Sequence, residues 1–195
     1  IFEGCARGRG ARDKGRRVGS LGRFGCFSFH TQKNITTLGE GGMLLCGDEK
    51  DAEIARKLRW MGAVPFEGKR EKYWEPSMSN LVTCGLEREW PYNFCLSEFN
   101  AAVGRLELKR LDAISANRQA QAKKFKAGLA DVPEIRFQKT NPGCEHVYHM
   151  MCVRYDGKET GKTRSDFLQI MFNDFDIKCY VHYMPLYRFD LFKDM

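Results

Sequence analysis

Lys33 is the residue of this sequence best suited to covalent chemistry. It is the only lysine or arginine between Arg23 and Lys50. It stands between an apolar run, Phe24 to Phe29, and the glycines Gly39, Gly41 and Gly42. The run reads as a buried strand. The glycines let the backbone turn sharply just past a strand end, the place where α/β proteins bind ligands. Burial disfavours the charged form of an amine, lowers its pKa and makes it a nucleophile toward aldehydes. The competing reading is a solvated loop lysine. Composition alone favours that second reading, because most lysines are surface residues.

The elements that must hold this lysine can be read along the chain. Ile1 to Cys5 is the end of a strand, and the basic, glycine-rich stretch to Ser20 is a loop with a short hairpin. Gly42 to Cys46 is a second buried strand. Asp48 caps a helix with Ile54, Leu58 and Met61 on one face, and Gly62 ends it. Residues 63 to 92 carry Pro65, Trp74, Pro76, Trp90 and Pro91 without a clear period and read as a long irregular connection. Ser97 caps a long helical stretch that continues to about Leu129, with room for a break or bend near Ser115-Ala116-Asn117. Short strands follow, the clearest from Val147 to Tyr155. Thr163 or Ser165 opens another helix, and Ile177 to Tyr183 reads as a last strand. Strand and helix alternate up to about residue 114, and a helix then precedes short strands. The expected division is therefore residues 1–114 in an α/β domain and 115–195 in a smaller, incomplete α+β domain.

Bulk properties narrow the function classes. At 195 residues the chain can bury a real core. With 43% hydrophobic and 29% charged residues it has a globular composition. No apolar run approaches the roughly 20 residues of a membrane helix. No signal-peptide pattern opens the chain, and the missing initiator Met points to a start that lies upstream. The 8 cysteines include no pair spaced for a zinc knuckle or a thioredoxin motif, so no metal is expected. Their setting in apolar runs fits a reducing, cytoplasmic compartment. The net charge of +7 owes much to Arg7, Arg9, Arg12, Lys14, Arg16 and Arg17. With their interleaved glycines they could serve as an RNA-binding segment. The stretch has no aromatic residue for stacking, so a solvated loop ranks ahead of a nucleic-acid partner.

Several segments together carry a resemblance. Gly19-Ser20-Leu21-Gly22, Phe27-Ser28-Phe29-His30, Lys33 and Thr36-Thr37-Leu38-Gly39-Glu40-Gly41-Gly42 are similar to the lysine region of the DegT/DnrJ/EryC1/StrS aminotransferases, which depend on pyridoxal 5'-phosphate (PLP). The similarity continues at Tyr92-Asn93-Phe94-Cys95-Leu96-Ser97-Glu98 and at His182-Tyr183-Met184-Pro185-Leu186. It implies the α/β fold type I of PLP-dependent transferases, with part of the large sheet domain followed by the small C-terminal domain. It implies that Lys33 forms a Schiff base with the cofactor, a task for lysine rather than arginine because lysine can be neutral near pH 7. Ser28 is implied to contact the cofactor phosphate, and Asn93 to reach the neighbour's phosphate across a homodimer with shared sites. His182 and Tyr183 match a segment near the substrate entrance. His30 reads as a structural partner. The implied reaction moves an amino group from glutamate or glutamine to a keto-sugar or keto-cyclitol, with a nucleotide-linked acceptor.

Two positions and the length depart from the family pattern. Gly4 stands where the resemblance calls for an aspartate that keeps the pyridinium nitrogen protonated. Glu3, one residue away on a strand, faces the opposite side. Arg7 stands where a ring-packing His or Gln is expected. The chain also reads as a fragment without the N-terminal half, which would leave exposed sheet edges. The alternative function is thus a catalytically impaired or non-catalytic relative that acts as a binding or interaction protein.

Overall fold

The computed structural model describes residues 1–62, 86 and 89–192. Most of the irregular connection expected over residues 63 to 92, with Pro65, Trp74 and Pro76, lies outside the described residues, as does Cys84. Two compact units are present. The first comprises Ile1–Phe125 and Lys139–Met151, and the second Lys126–Gln138 and the residues from Cys152 onward.

In the first unit, β1 (Phe2–Gly4), β4 (Phe24–Ser28) and β5 (Gly42–Cys46) form a mixed sheet with β4 in the middle. β1 runs parallel to β4, with Gly4 opposite Cys26, and β5 runs antiparallel, with Gly42 opposite Ser28. The middle strand admits no side chain at Gly25. A Cβ there would collide with the backbone of Gly19, whose own positive φ of 91° suits glycine. The Gly19 loop is fastened from below by Glu3. Its carboxylate accepts the backbone N–H groups of Gly19, Leu21 and Gly22 at 2.7, 2.6 and 2.5 Å. Burial raises the pKa of Glu3, but these bonds outweigh it and hold the carboxyl below its usual range.

A second small sheet contains β2 (Arg12–Asp13), β3 (Arg16–Arg17) and β7 (Cys144–Glu145). The two-residue turn Lys14-Gly15 has φ of 48° and 78°, the positive pair that a tight hairpin requires. The basic stretch is therefore more structured than the solvated loop expected of it. Arg17 makes a forked bond to Asp112, Arg12 lies 3.7 Å from Glu145, and Arg9 is buried. On β7, the Cys144 thiol donates to Asp13 Oδ1 at 3.2 Å.

α1 (Glu49–Arg59) begins where the sequence places it, with the Asp48 side chain accepting the Asp51 N–H at 2.8 Å. Gly62, at φ 75°, closes its end through a bond to the Lys57 carbonyl. Arg23, just before β4, makes a forked pair with Asp51 at 2.5 Å. α2 (Glu98–Gly128) is capped by Ser97 and runs unbroken through Ser115-Ala116-Asn117. The break that the sequence allows there does not occur. Leu111 and Ser115 are buried on one face, and packing overrides the weak helix preference of serine and asparagine.

The second unit holds an antiparallel pair, β6 (Ile135–Phe137) and β8 (Val153–Tyr155), and α3 (Arg164–Asn173). Thr163 and Asp166 form a reciprocal capping box at the start of α3. Tyr155 stacks on Phe167 at 4.5 Å. Three strand expectations need correction. Only Val153–Tyr155 of the stretch from Val147 is a strand, since Tyr148 turns the chain at φ 44°. Ile177 to Tyr183 is not a strand, because its exposed backbone has no ladder to join among the described residues. β5 is a strand but not a buried one, and Met43, Leu44 and Leu45 are exposed.

Among the described residues, no helix is long and apolar enough to cross a membrane, and the cysteines are free thiols. Two predictions follow from the packing around β4. Gly25→Ala sets a methyl against backbone that cannot swing away, and should cost about 3 kcal/mol in a denaturant titration. The hydrogen bonds from Arg23 hold the Asp51 carboxyl below its usual range, more than burial raises it. That contribution is complete above the unfolded value of about 3.9 and disappears as pH falls through the lower folded value. The Tm of Asp51→Asn should therefore change less than that of the parent between about pH 5 and about pH 2.

Candidate functional site

Residues 29–41 connect the adjacent strands β4 and β5 without regular structure, and Lys33 lies within them. The base of the connection is closed by the Phe29 N–H to the Gly41 carbonyl at 2.7 Å and the Thr31 N–H to the Gly39 carbonyl at 2.8 Å. Inside it, Ile35 is 1% exposed and Thr37 is fully buried. Ile35 packs with Phe29 and Leu111, and Ile114 lies against them. Such a plug fixes a loop as a core residue fixes a strand.

Polar bonds complete the anchoring. The Thr37 N–H reaches the Phe29 carbonyl at 3.2 Å, and Thr37 Oγ1 donates to the Glu40 carbonyl at 3.1 Å. Asn100, in the first turn of α2, donates its side-chain amide to the Thr37 carbonyl. Arg9, only 4% exposed, donates Nη1 to the Ile35 carbonyl at 2.8 Å and lies 4.4 Å from the Phe29 ring centroid. Burial pushes its pKa down to about 10, so it remains a cation at neutral pH. Nothing in the sequence alone sets Arg9 apart from the arginines around it.

Lys33 and Ser28 are joined through His30. The His30 N–H donates to Ser28 Oγ at 3.3 Å, and the Lys33 N–H donates to the His30 carbonyl at 2.9 Å. The Lys33 side chain is half-buried, and so is Ser28 at the end of β4. Because Ser28 Oγ serves there as acceptor, its hydroxyl hydrogen can be offered to a ligand oxygen. His30 is a structural partner. Its Nδ1 accepts the Gln32 N–H at 3.2 Å, and its Nε2 lies 3.6 Å from Glu40 Oε1.

The other expected site residues are placed differently. Asn93 is exposed beside the end of α1, where Phe94 N–H and Tyr92 N–H bond the Arg59 and Leu58 carbonyls at 2.8 Å. Among the described residues it shares no hydrogen bond with Ser28 or Lys33. His182 and Tyr183 lie on an exposed segment of the second unit, their ring centroids 4.1 Å apart. Gly4 is exposed at the end of β1, and a Cβ built on it would meet nothing within 4 Å. Arg7 is exposed as well.

The chemistry of PLP tests these residues in three places. An amine for its aldehyde is present at Lys33, and a hydroxyl donor for its phosphate at Ser28. An acid for its ring nitrogen is not supplied at Gly4, and Glu3 is committed to the Gly19 loop. The site fits the cofactor in the first two respects and departs in the third.

Known proteins share the sequence pattern and the fold of this chain. The model of the DegT/DnrJ/EryC1/StrS aminotransferase family matches residues 1–195. The spore coat polysaccharide biosynthesis protein SpsC of Bacillus subtilis is 30% identical over 188 residues, covering 96% of this chain and 46% of that protein. The dTDP-3-amino-3,4,6-trideoxy-alpha-D-glucose transaminase of Streptomyces venezuelae is 32% identical over 166 residues, covering 85% of this chain and 39% of that one. The PLP-form structure of Spr1654 from Streptococcus pneumoniae superposes with a TM-score of 0.78 at 25% identity, over 100% of this chain and 46% of that chain. The chain spans less than half the length of these relatives. The α/β fold expected from the sequence, that of the type I PLP-dependent transferases, is the fold found.

The Ile35 plug can be tested directly. Ile35→Ala should cost about 2–5 kcal/mol of stability and speed amide exchange across residues 33–37, whereas Ile35→Val should cost at most about 1.5 kcal/mol. Chemical denaturation with hydrogen exchange read by mass spectrometry distinguishes the two.

Proposed function

The chain belongs to the DegT/DnrJ/EryC1/StrS aminotransferase family, and from that premise we propose that its protein is a PLP-dependent sugar aminotransferase. The amino group comes from glutamate or glutamine and goes to a keto-sugar or keto-cyclitol. A nucleotide-linked sugar is the favoured acceptor, in keeping with the dTDP-sugar transaminase among the relatives. One observation carries the reading. Lys33 is half-buried on a turn pinned on both flanks and joined through His30 to the Ser28 hydroxyl.

When bound, PLP supplies an electrophilic aldehyde and an electron-withdrawing ring. Lys33 Nζ is the amine that would hold the cofactor's aldehyde carbon, and as a free amine it would carry the proton taken from the donor α-carbon. Arginine could not do this, since it does not become neutral near pH 7. Ser28 Oγ–H would donate to a phosphate oxygen. Asn93 is assigned to the phosphate of a second subunit, which makes the protein a homodimer with shared sites. Its exposed side chain, on backbone tied to α1, suits that role. His182 and Tyr183 are assigned to the substrate entrance, and the setting is cytoplasmic.

Gly4 favours a second reading, a catalytically impaired or non-catalytic relative that works as a binding or interaction protein. Leaving a buried charge without its partner typically costs about 3–5 kcal/mol. At about 1.4 kcal/mol per tenfold, that is about two to three orders of magnitude in rate.

Titration with PLP should produce a visible-range absorbance of lysine-bound cofactor in the parent and none in Lys33→Ala. No such absorbance in the parent defeats the aminotransferase reading. The open space at Gly4 accepts a side chain, so Gly4→Asp should fold and raise turnover by about two orders of magnitude or more. Unchanged turnover would favour the non-catalytic reading.

A further inference from the structure

Asn34 follows Lys33 directly, and its side chain is held from outside the turn. Its Oδ1 lies 3.2 Å from His149 Nδ1. Exchanging the amide's oxygen and nitrogen would leave the two side chains within hydrogen-bond reach, with the imidazole accepting instead of donating. His149 is in turn fixed by α2. Arg118 donates Nε to the Tyr148 carbonyl at 2.9 Å and Nη2 to the His149 carbonyl at 2.7 Å. Gln119 donates to the His146 carbonyl at 3.1 Å. The Tyr148 N–H bonds His146 Nδ1 at 2.9 Å, and the two rings meet edge to face at 4.5 Å. Tyr148 sits at φ 44°, a left-handed conformation that a bulky residue adopts only when its surroundings over-determine it.

This is more hardware than a connecting loop needs. Two side chains on successive positions of α2 clamp the carbonyls of His146, Tyr148 and His149, and the clamp delivers one imidazole to one amide beside Lys33. The anchors described above act elsewhere on the turn. Ile35 and Thr37 fasten its far side, and the Lys33 N–H is tied to His30. The bond from His149 instead holds a side chain adjacent to the lysine.

We propose that His149 is a positioning residue for Lys33: through Asn34 it sets the rotation of the turn and so the direction in which the amine is presented. The proposal rests on the aminotransferase reading for its functional meaning, but the geometric effect can be measured without the cofactor.

The test compares the parent chain with His149→Ala, His149→Gln, Asn34→Ala and the double variant His149→Ala/Asn34→Ala. Amide exchange is followed at Lys33, whose N–H bonds the His30 carbonyl, and at Thr37, whose N–H bonds the Phe29 carbonyl behind the Ile35 plug. His149→Ala should speed exchange at Lys33 by about threefold to tenfold, the effect of losing one hydrogen bond, and leave Thr37 unchanged. Asn34→Ala should match it, and the double variant should add nothing, since both remove one interaction. His149→Gln, which keeps a polar group within reach of Asn34, should recover most of the loss. Asn34→Ala tests the same bond should His149→Ala fail to fold. Each variant is also titrated with PLP, and His149→Ala should need severalfold more cofactor to reach half of the lysine-bound absorbance.

Unchanged exchange at Lys33 in both single variants overturns the proposal. Equal acceleration at Lys33 and Thr37 overturns it too, since that marks general destabilisation. Absence of lysine-bound absorbance in the parent defeats the aminotransferase reading alone, and the exchange results still decide whether His149 positions the turn.

Discussion

One helix serves as the ruler for the lysine turn. α2 touches it near its start through Asn100 and the Thr37 carbonyl, and at mid-length through Leu111 against Ile35. Further along, Arg118 holds the segment that carries His149 to Asn34. A connection between neighbouring strands has many conformations, and ordering each residue costs about 1–2 kcal/mol of backbone entropy. Three supports from one rigid element suppress those conformations together. The continuity of α2 through Ser115 matters for this reason, because a break there would separate the second support from the third.

Local signals made much of the framework legible. β4, β5, the Asp48 cap, the Ser97 cap and the Thr163 box all follow from patterns within a few residues. The hairpin at Lys14-Gly15 was likewise readable from its glycine and short flanks. Lys33 and Ser28 came from the family resemblance, and their linkage through His30 needed coordinates. Arg9 and His149 were not legible at all. Each matters through a partner far away in sequence, Ile35 for one and Asn34 for the other. The misread segments fail for a related reason. Ile177 to Tyr183 has the composition of a strand, but a strand also needs a ladder, which composition cannot supply.

Charge is used differently along the basic N-terminal stretch than its composition suggests. Arg9 is spent on a carbonyl and a ring, Arg17 on Asp112 and Arg12 beside Glu145. These side chains fasten the loop to the first unit, which leaves less of the net charge of +7 for an external polyanion. Glu3 follows the same economy, with its carboxylate turned inward upon backbone N–H groups as a built-in anion.

The contact between Cys144 and Asp13 carries over into redox chemistry. A thiol that donates to a carboxylate is reluctant to ionise, and the Asp13 bond together with burial pushes the Cys144 pKa up. Oxidants and alkylating agents attack the thiolate. The sulfur that helps join β7 to β2 is thereby held toward its protonated form, the less reactive one toward such reagents.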